Sequence, residues 1–220
     1  MTAPSTEPAP ARAPEAEPAP GEPRAERRED QPADASALGT VLLRDLTFGV
    51  AALSIWAGAE AWSRQSGLGL AALLSVLGGF VVGGLVTALL HEWGHFVGAR
   101  LSGAVAPIAP AKNLVPLFLF DMDRSGDAPF RAMSVGGSVG HWSAAFGLFY
   151  LLPGSTAGEV AIQAASFGFA VFASVVEVPV LRLAFAGVPP GKALGTITQE
   201  RLRRGVQVGF ATALVLFVVL

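Results

Sequence analysis

The chain has 220 residues and a formal net charge of −2; 52% of it is hydrophobic and only 15% charged, whereas an ordinary soluble domain carries roughly 25% charge. Residues 1–38 hold 12 of the charged residues and 8 of the 16 Pro, so the remainder has too few polar side chains to cover a soluble enzyme. No basic face is evident, which argues against a nucleic-acid binder, and the absence of Cys excludes disulfides, thiolate nucleophiles and Cys-based zinc sites.

Residues 1–38 form a Pro-, Ala- and Glu-rich tail with 8 acids and 4 Arg. Such a segment buries too little apolar area to offset its ordering entropy, so disorder is expected. It lacks the apolar core of a secretory signal peptide. Residues 39–220 read instead as one all-α integral membrane domain, a polytopic bundle of about five transmembrane helices. Its apolar runs, measured against the roughly 20 residues that cross a hydrocarbon core, are Leu46–Trp62, Leu68–Leu90, Ala132–Leu152, Val160–Leu181 and Val206–Leu220. The second carries no charge, the third contains His141, the fourth Glu177, and the last is short. Helices are required because a lipid-exposed backbone must satisfy its hydrogen bonds internally.

Lys and Arg set the expected orientation. Arg44 precedes the first run; Arg100, Lys112, Arg124 and Arg131 follow the second; Arg182, Lys192, Arg201, Arg203 and Arg204 follow the fourth. The opposite side carries only Arg64. Five crossings then place the N-terminus in the cytoplasm and the C-terminus outside, and the Ala- and Gly-rich composition suggests a bacterial inner (plasma) membrane. Gly79 and Gly83 in the second run, and Gly136 and Gly140 in the third, each put two small residues on one helix face. These pairs predict that spans two and three pack against each other there. Glu60 is expected to snorkel outward, with Trp62 as an interfacial anchor.

Ionisable groups inside spans are costly and are functional candidates by default. The three His of the chain are His91, His95 and His141. The run His91-Glu92-Trp93-Gly94-His95 closes the second span. Residues four apart share a helix face, so two imidazoles can offer nitrogens to one tetrahedral metal. Glu92, rotated about 100° from His91, reaches a water on that metal. Zinc makes such a water acidic enough for a carboxylate to deprotonate, and the hydroxide attacks a peptide carbonyl.

This motif, at the end of a glycine-rich span and followed by Phe96, Ala99, Arg100, Leu101 and Gly103, resembles the site-2 protease family of intramembrane metalloproteases. Met133-Ser134-Val135-Gly136-Gly137-Ser138-Val139 resembles that family's small-residue stretch opening the next span. The resemblance covers roughly residues 68–182 and is specific only at the zinc motif. It implies Zn2+ as cofactor, His91 and His95 as ligands, Glu92 as general base, and a membrane protein or peptide as substrate. The family's third ligand is an Asp within Asn-x-x-Pro-x-x-x-x-Asp-Gly. Asn113, Pro116 and Asp121 keep that spacing, but Met122 replaces the Gly and the segment precedes the third span.

Three donors therefore remain open for the third position. Glu177 sits at matching depth, beside a helix-disturbing Pro179; its bland role is to pair with Arg182. His141 lies deeper, next to Gly140; its bland roles are a backbone hydrogen bond or orienting another ligand. Asp121, with Asp123 and Asp127, otherwise solvates a cytoplasmic or re-entrant loop over 104–131. In that loop Phe118-Leu119-Phe120 reads either as an edge strand that pairs with an unfolded substrate or as a membrane-dipping anchor. The alternatives to a protease are a non-proteolytic metal-binding membrane scaffold or pseudoprotease, and a small transporter using His141 and Glu177 as a relay; no paired internal repeats favour the latter.

Overall fold

A computed structural model describes residues 31–112 and 115–220. Residues 1–30 of the tail expected over 1–38, and Asn113 of the loop pattern, lie outside the described residues. Seven helices follow in order: α1 (Gln31–Ser66), α2 (Gly69–Leu101), α3 (Met122–Ser125), α4 (Asp127–Leu151), α5 (Ala157–Phe185), α6 (Pro190–Leu194) and α7 (Gln199–Val219). No strand occurs among the described residues; Ile108 and Phe118 form an isolated antiparallel bridge. α1 begins eight residues before the expected domain boundary at residue 39, so 31–38 is helix.

Four helices, α1, α2, α5 and α7, are long and apolar enough to cross a membrane. The expected third span is present as α4, 25 residues long but less apolar than these four. Its composition explains this. Ser134, Gly136, Gly137, Ser138, Gly140, His141 and Ser143 crowd its sequence, and small or polar residues belong where helices meet each other rather than lipid. Large apolar side chains such as Leu43, Leu46 and Ile55 on α1 and Phe210, Val215 and Val218 on α7 face outward, the pattern of a lipid-facing surface.

Local chemistry ends and starts these helices. α5 opens with Thr156, which accepts the Glu159 amide, while the Glu159 carboxylate accepts the Ser155 amide at 2.8 Å, a variant of the capping box. Thr198 caps α7 through the Arg201 amide. α2 stops at Gly103, whose φ of 79° suits glycine, with the Ala104 amide bonded back to the Ala99 carbonyl at 2.9 Å.

Contacts between helices fix their directions. Asp45 meets Trp93 and Glu60 meets Ser75, so α1 and α2 are antiparallel. A Cβ added at Gly79 would strike the Gly158 carbonyl, and one at Gly83 the Ile162 carbonyl, so α5 runs parallel to α2. Gly98 abuts Ala132, Gly94 abuts Gly136 and Leu90 abuts Gly140, so α4 runs antiparallel to α2. Spans two and three do pack on Gly136 and Gly140, but the partner is Gly94–Gly98 rather than Gly79–Gly83. The correction has a geometric cause. At about 3.6 residues per turn, positions 79, 83, 94 and 98 fall within a wedge of about 100°. One face of α2 thus meets α5 along its first half and α4 along its second.

The expectation for Glu60 is also corrected: it is 7% exposed. Its carboxylate accepts the Ser75 hydroxyl and pairs with Arg64 at 2.8 Å. Arg64 bridges onward to Glu159 at 2.9 Å, joining α1, α2 and α5. Satisfying the carboxylate inside the bundle removes the reason to snorkel.

Gly94→Ala or Gly136→Ala forces each helix backbone off the other and is expected to lower stability by about 1–3 kcal/mol, read as a lower thermal unfolding midpoint in detergent. Gly84→Ala, where a Cβ meets nothing within 4 Å, leaves the midpoint unchanged or raises it slightly.

Candidate functional site

α2 runs as one continuous helix through the His91–His95 motif. Both imidazoles point between α4 and α5, with ring centroids 4.5 Å apart. The Nδ1 edges meet α4: His95 Nδ1 lies 2.9 Å from the Met133 carbonyl oxygen and His91 Nδ1 lies 3.2 Å from that of Gly137. A carbonyl only accepts, so each contact places the proton on Nδ1 and leaves the Nε2 lone pair free. The two carbonyls are four residues apart, which is why one helix face serves both rings.

The Nε2 edges meet α5. Glu177 Oε1 stands 2.9 Å from His95 Nε2 and 3.3 Å from His91 Nε2. α5 continues unbroken through Pro179. Glu177 Oε2 is buried and has no hydrogen-bond partner. Two lone pairs and a carboxylate oxygen therefore converge in a buried place, an arrangement that repels itself unless a cation or added protons lie among them. Imidazole nitrogens and one carboxylate form a donor set suited to zinc, and backbone carbonyls on the far ring nitrogens are the usual outer support of such ligands.

His141 is fully buried. Its Nδ1 lies 3.1 Å from His91 Nδ1, and its Nε2 lies 3.4 Å from the Ser174 hydroxyl, which also accepts the Trp142 indole N–H at 3.2 Å. One tautomer satisfies the chain: His91 Nδ1–H is shared between Gly137 and His141, and His141 donates from Nε2 to Ser174. By distance alone His91, His141 and Glu177 form a group able to hold a metal ion. His95 joins them through its contact with Glu177. His141 faces the Nδ1 side of His91, and one of its nitrogens lies within 4.8 Å of a Glu177 carboxylate oxygen.

The other proposed residues separate. Asp121 caps α3, its Oδ1 accepting the Asp123 and Arg124 amides at 3.1 and 3.0 Å, so that carboxylate is engaged in the loop. Asp123 and Asp127 lie in the first turns of α3 and α4. Glu92 accepts the Leu117 amide on Oε2 at 3.2 Å. With His95, Glu177 and Ser134 it lines a cleft of about 230 Å³ whose remaining walls are Pro116, Phe118, Phe120, Met133, Val180, Leu194 and Ile197. Phe118 and Phe120 belong to an extended segment: Leu117, Leu119 and Asp121 pair through three backbone hydrogen bonds with Ala109, Pro107 and Val105.

Some supporting groups escaped the sequence reading. The Met133 and Gly137 carbonyls carry no side-chain signal. Ser174 is one of many small residues in α5. Asp45, which accepts the Trp93 indole at 3.0 Å, sits one residue outside the expected first span, where a charge reads as a boundary mark.

No family model matches the chain, and no curated protein and no solved structure matches it.

A Cβ at Gly137 would overlap the His95 ring. Gly137→Ala is therefore expected to weaken zinc binding by about 10–100-fold in titrations of the purified chain. Gly147→Ala, on the same helix with nothing within 4 Å, leaves the affinity unchanged.

Proposed function

We propose that this chain is an intramembrane zinc metalloprotease of the site-2 type, hydrolysing a peptide bond in or near a transmembrane segment of a membrane protein. The observation that carries the reading is the placement of Glu177 Oε1 against both Nε2 atoms of the His91-Glu92-Trp93-Gly94-His95 motif, with Glu92 in the adjoining cleft. His91, His95 and Glu177 are the ligands in this reading. His141 orients His91 from behind, and Asp121 takes no part.

A zinc ion held there would supply Lewis-acid polarisation of the scissile carbonyl and a water acidic enough to be deprotonated near neutral pH. Glu92 takes the proton from the attacking water and later delivers it to the leaving amine. Because Leu117 holds only Oε2 of Glu92, Oε1 is left to handle that proton. The apolar walls exclude bulk water and receive the apolar side chains of a membrane segment. Such a segment must unwind locally to expose a carbonyl, and the extended stretch at Phe118–Phe120 offers a strand for it to lie against. The N-terminus faces the cytoplasm, as the distribution of Lys and Arg implies, so cleavage occurs near the cytoplasmic face.

Metal analysis is expected to find about one zinc per chain. Glu177→Ala loses it and Asp121→Ala keeps it. Glu92→Gln retains the metal and loses about 10²–10⁴-fold in cleavage of a co-reconstituted single-span substrate. Zinc without cleavage in the wild-type chain leaves a metal-binding scaffold, and no zinc at all removes both readings.

A further inference from the structure

α1 contributes nothing to the His–Glu cluster, yet at the same end of the bundle it carries a carboxylate only 6% exposed, Asp45. Both of its oxygens are engaged. Oδ2 accepts the indole N–H of Trp93 at 3.0 Å, and Oδ1 accepts the Arg44 guanidinium at 2.8 Å. Arg44 reaches further, donating to the Ala111 carbonyl at 2.9 Å. Trp93 is the residue after Glu92. Ala111 follows the 105–109 stretch, which pairs with the 117–121 stretch, and the Leu117 amide is held by Glu92.

Two paths thus leave one carboxylate and converge on the proposed base. The first runs through the motif helix, from Asp45 to Trp93 and its neighbour Glu92. The second runs through Arg44, Ala111 and the paired loop to Leu117. The space between is filled by Val41, Phe96, Ala99, Ala104, Ala106, Leu117 and Phe118, buried against one another with Trp93 at their edge. A buried ion pair at a membrane boundary is costly, which makes it a functional candidate.

We propose that Asp45 is a positioning residue: with Arg44 it sets the loop 105–121 and the Trp93 turn relative to each other, so that Glu92 is held on Oε2 at the mouth of the cleft. Its kinetic consequence rests on the reading of Glu92 as the general base; its structural consequence does not.

The test uses the full chain in nanodiscs, with hydrogen exchange and zinc content measured beside turnover. Asp45→Ala is expected to speed exchange of the Ala109, Leu117 and Leu119 amides about tenfold while α5 amides keep their wild-type rates. Zinc content stays at the wild-type level and kcat falls about tenfold. Asp45→Asn, whose remaining oxygen still accepts the indole, lies between. Trp93→Phe keeps the ring but loses the N–H, so kcat falls with loop exchange unchanged; it also serves if Asp45→Ala does not fold. Wild-type exchange over 105–121 in Asp45→Ala, or wild-type kcat in Trp93→Phe, overturns the proposal. So does a uniform rise in exchange across α2, α4 and α5 with loss of zinc, which marks plain fold support. If the wild-type chain cuts nothing while the loop still responds to Asp45→Ala, the protease reading fails and the positioning role stands.

Discussion

A carboxylate from α5 faces two imidazoles from α2, and with both rings neutral all three present electron pairs to one another. That meeting is unfavourable by itself, because the rings have their protons committed on the opposite side to the Met133 and Gly137 carbonyls. A cation or added protons among these atoms would relieve it. The tension follows from the carbonyls that α4 sets against the Nδ1 edges, and no property of the motif alone would have revealed it.

The close approach of three backbones makes the fixing possible. α2 carries small residues along one face, and the face is shared between a parallel neighbour and an antiparallel one. Glycine at 94 and 98 lets α4 come near enough for its carbonyls to reach the rings, and glycine at 79 and 83 lets α5 lie alongside, so that Glu177 arrives at the depth of His95. The cost is borne in helix propensity, where each interior glycine is about 1 kcal/mol worse than alanine; packing and the lipid environment offset it.

Much of this was legible in the residues. Apolar runs locate α2, α5 and α7, because a lipid-exposed backbone must be helical. The motif His91–His95 announces a shared face because helical spacing is a local property. The identity of the glycine partners was not legible: two pairs on one wedge of α2 fit either neighbour equally until the chain direction of α5 is known. Nor was the fate of Glu60, whose partner Arg64 is tied in turn to Glu159, 95 residues further along the chain. α4 was recognised as a helix that packs on α2, but its uncharged run did not reveal how little of it is apolar. Its Ser, Gly and His residues instead serve the interior.

Comparing the polar clusters sharpens what distinguishes a working site from a clamp. At one end of the bundle Glu60 and Glu159 have all four carboxylate oxygens engaged, by Arg64, Ser75 and Ser155. At the other end Asp45 has both oxygens engaged, by Arg44 and Trp93. These groups join helices, and completeness is what a joint requires, since a half-satisfied buried network is worse than an apolar one. Glu177 breaks the pattern. One oxygen lies against two imidazole nitrogens, and the other, buried, has no hydrogen-bond partner. Since the same fold satisfies every other buried carboxylate oxygen named here, the vacancy at Glu177 is not carelessness of packing. It sets Glu177 apart from the joints as a buried group with bonding capacity left unused.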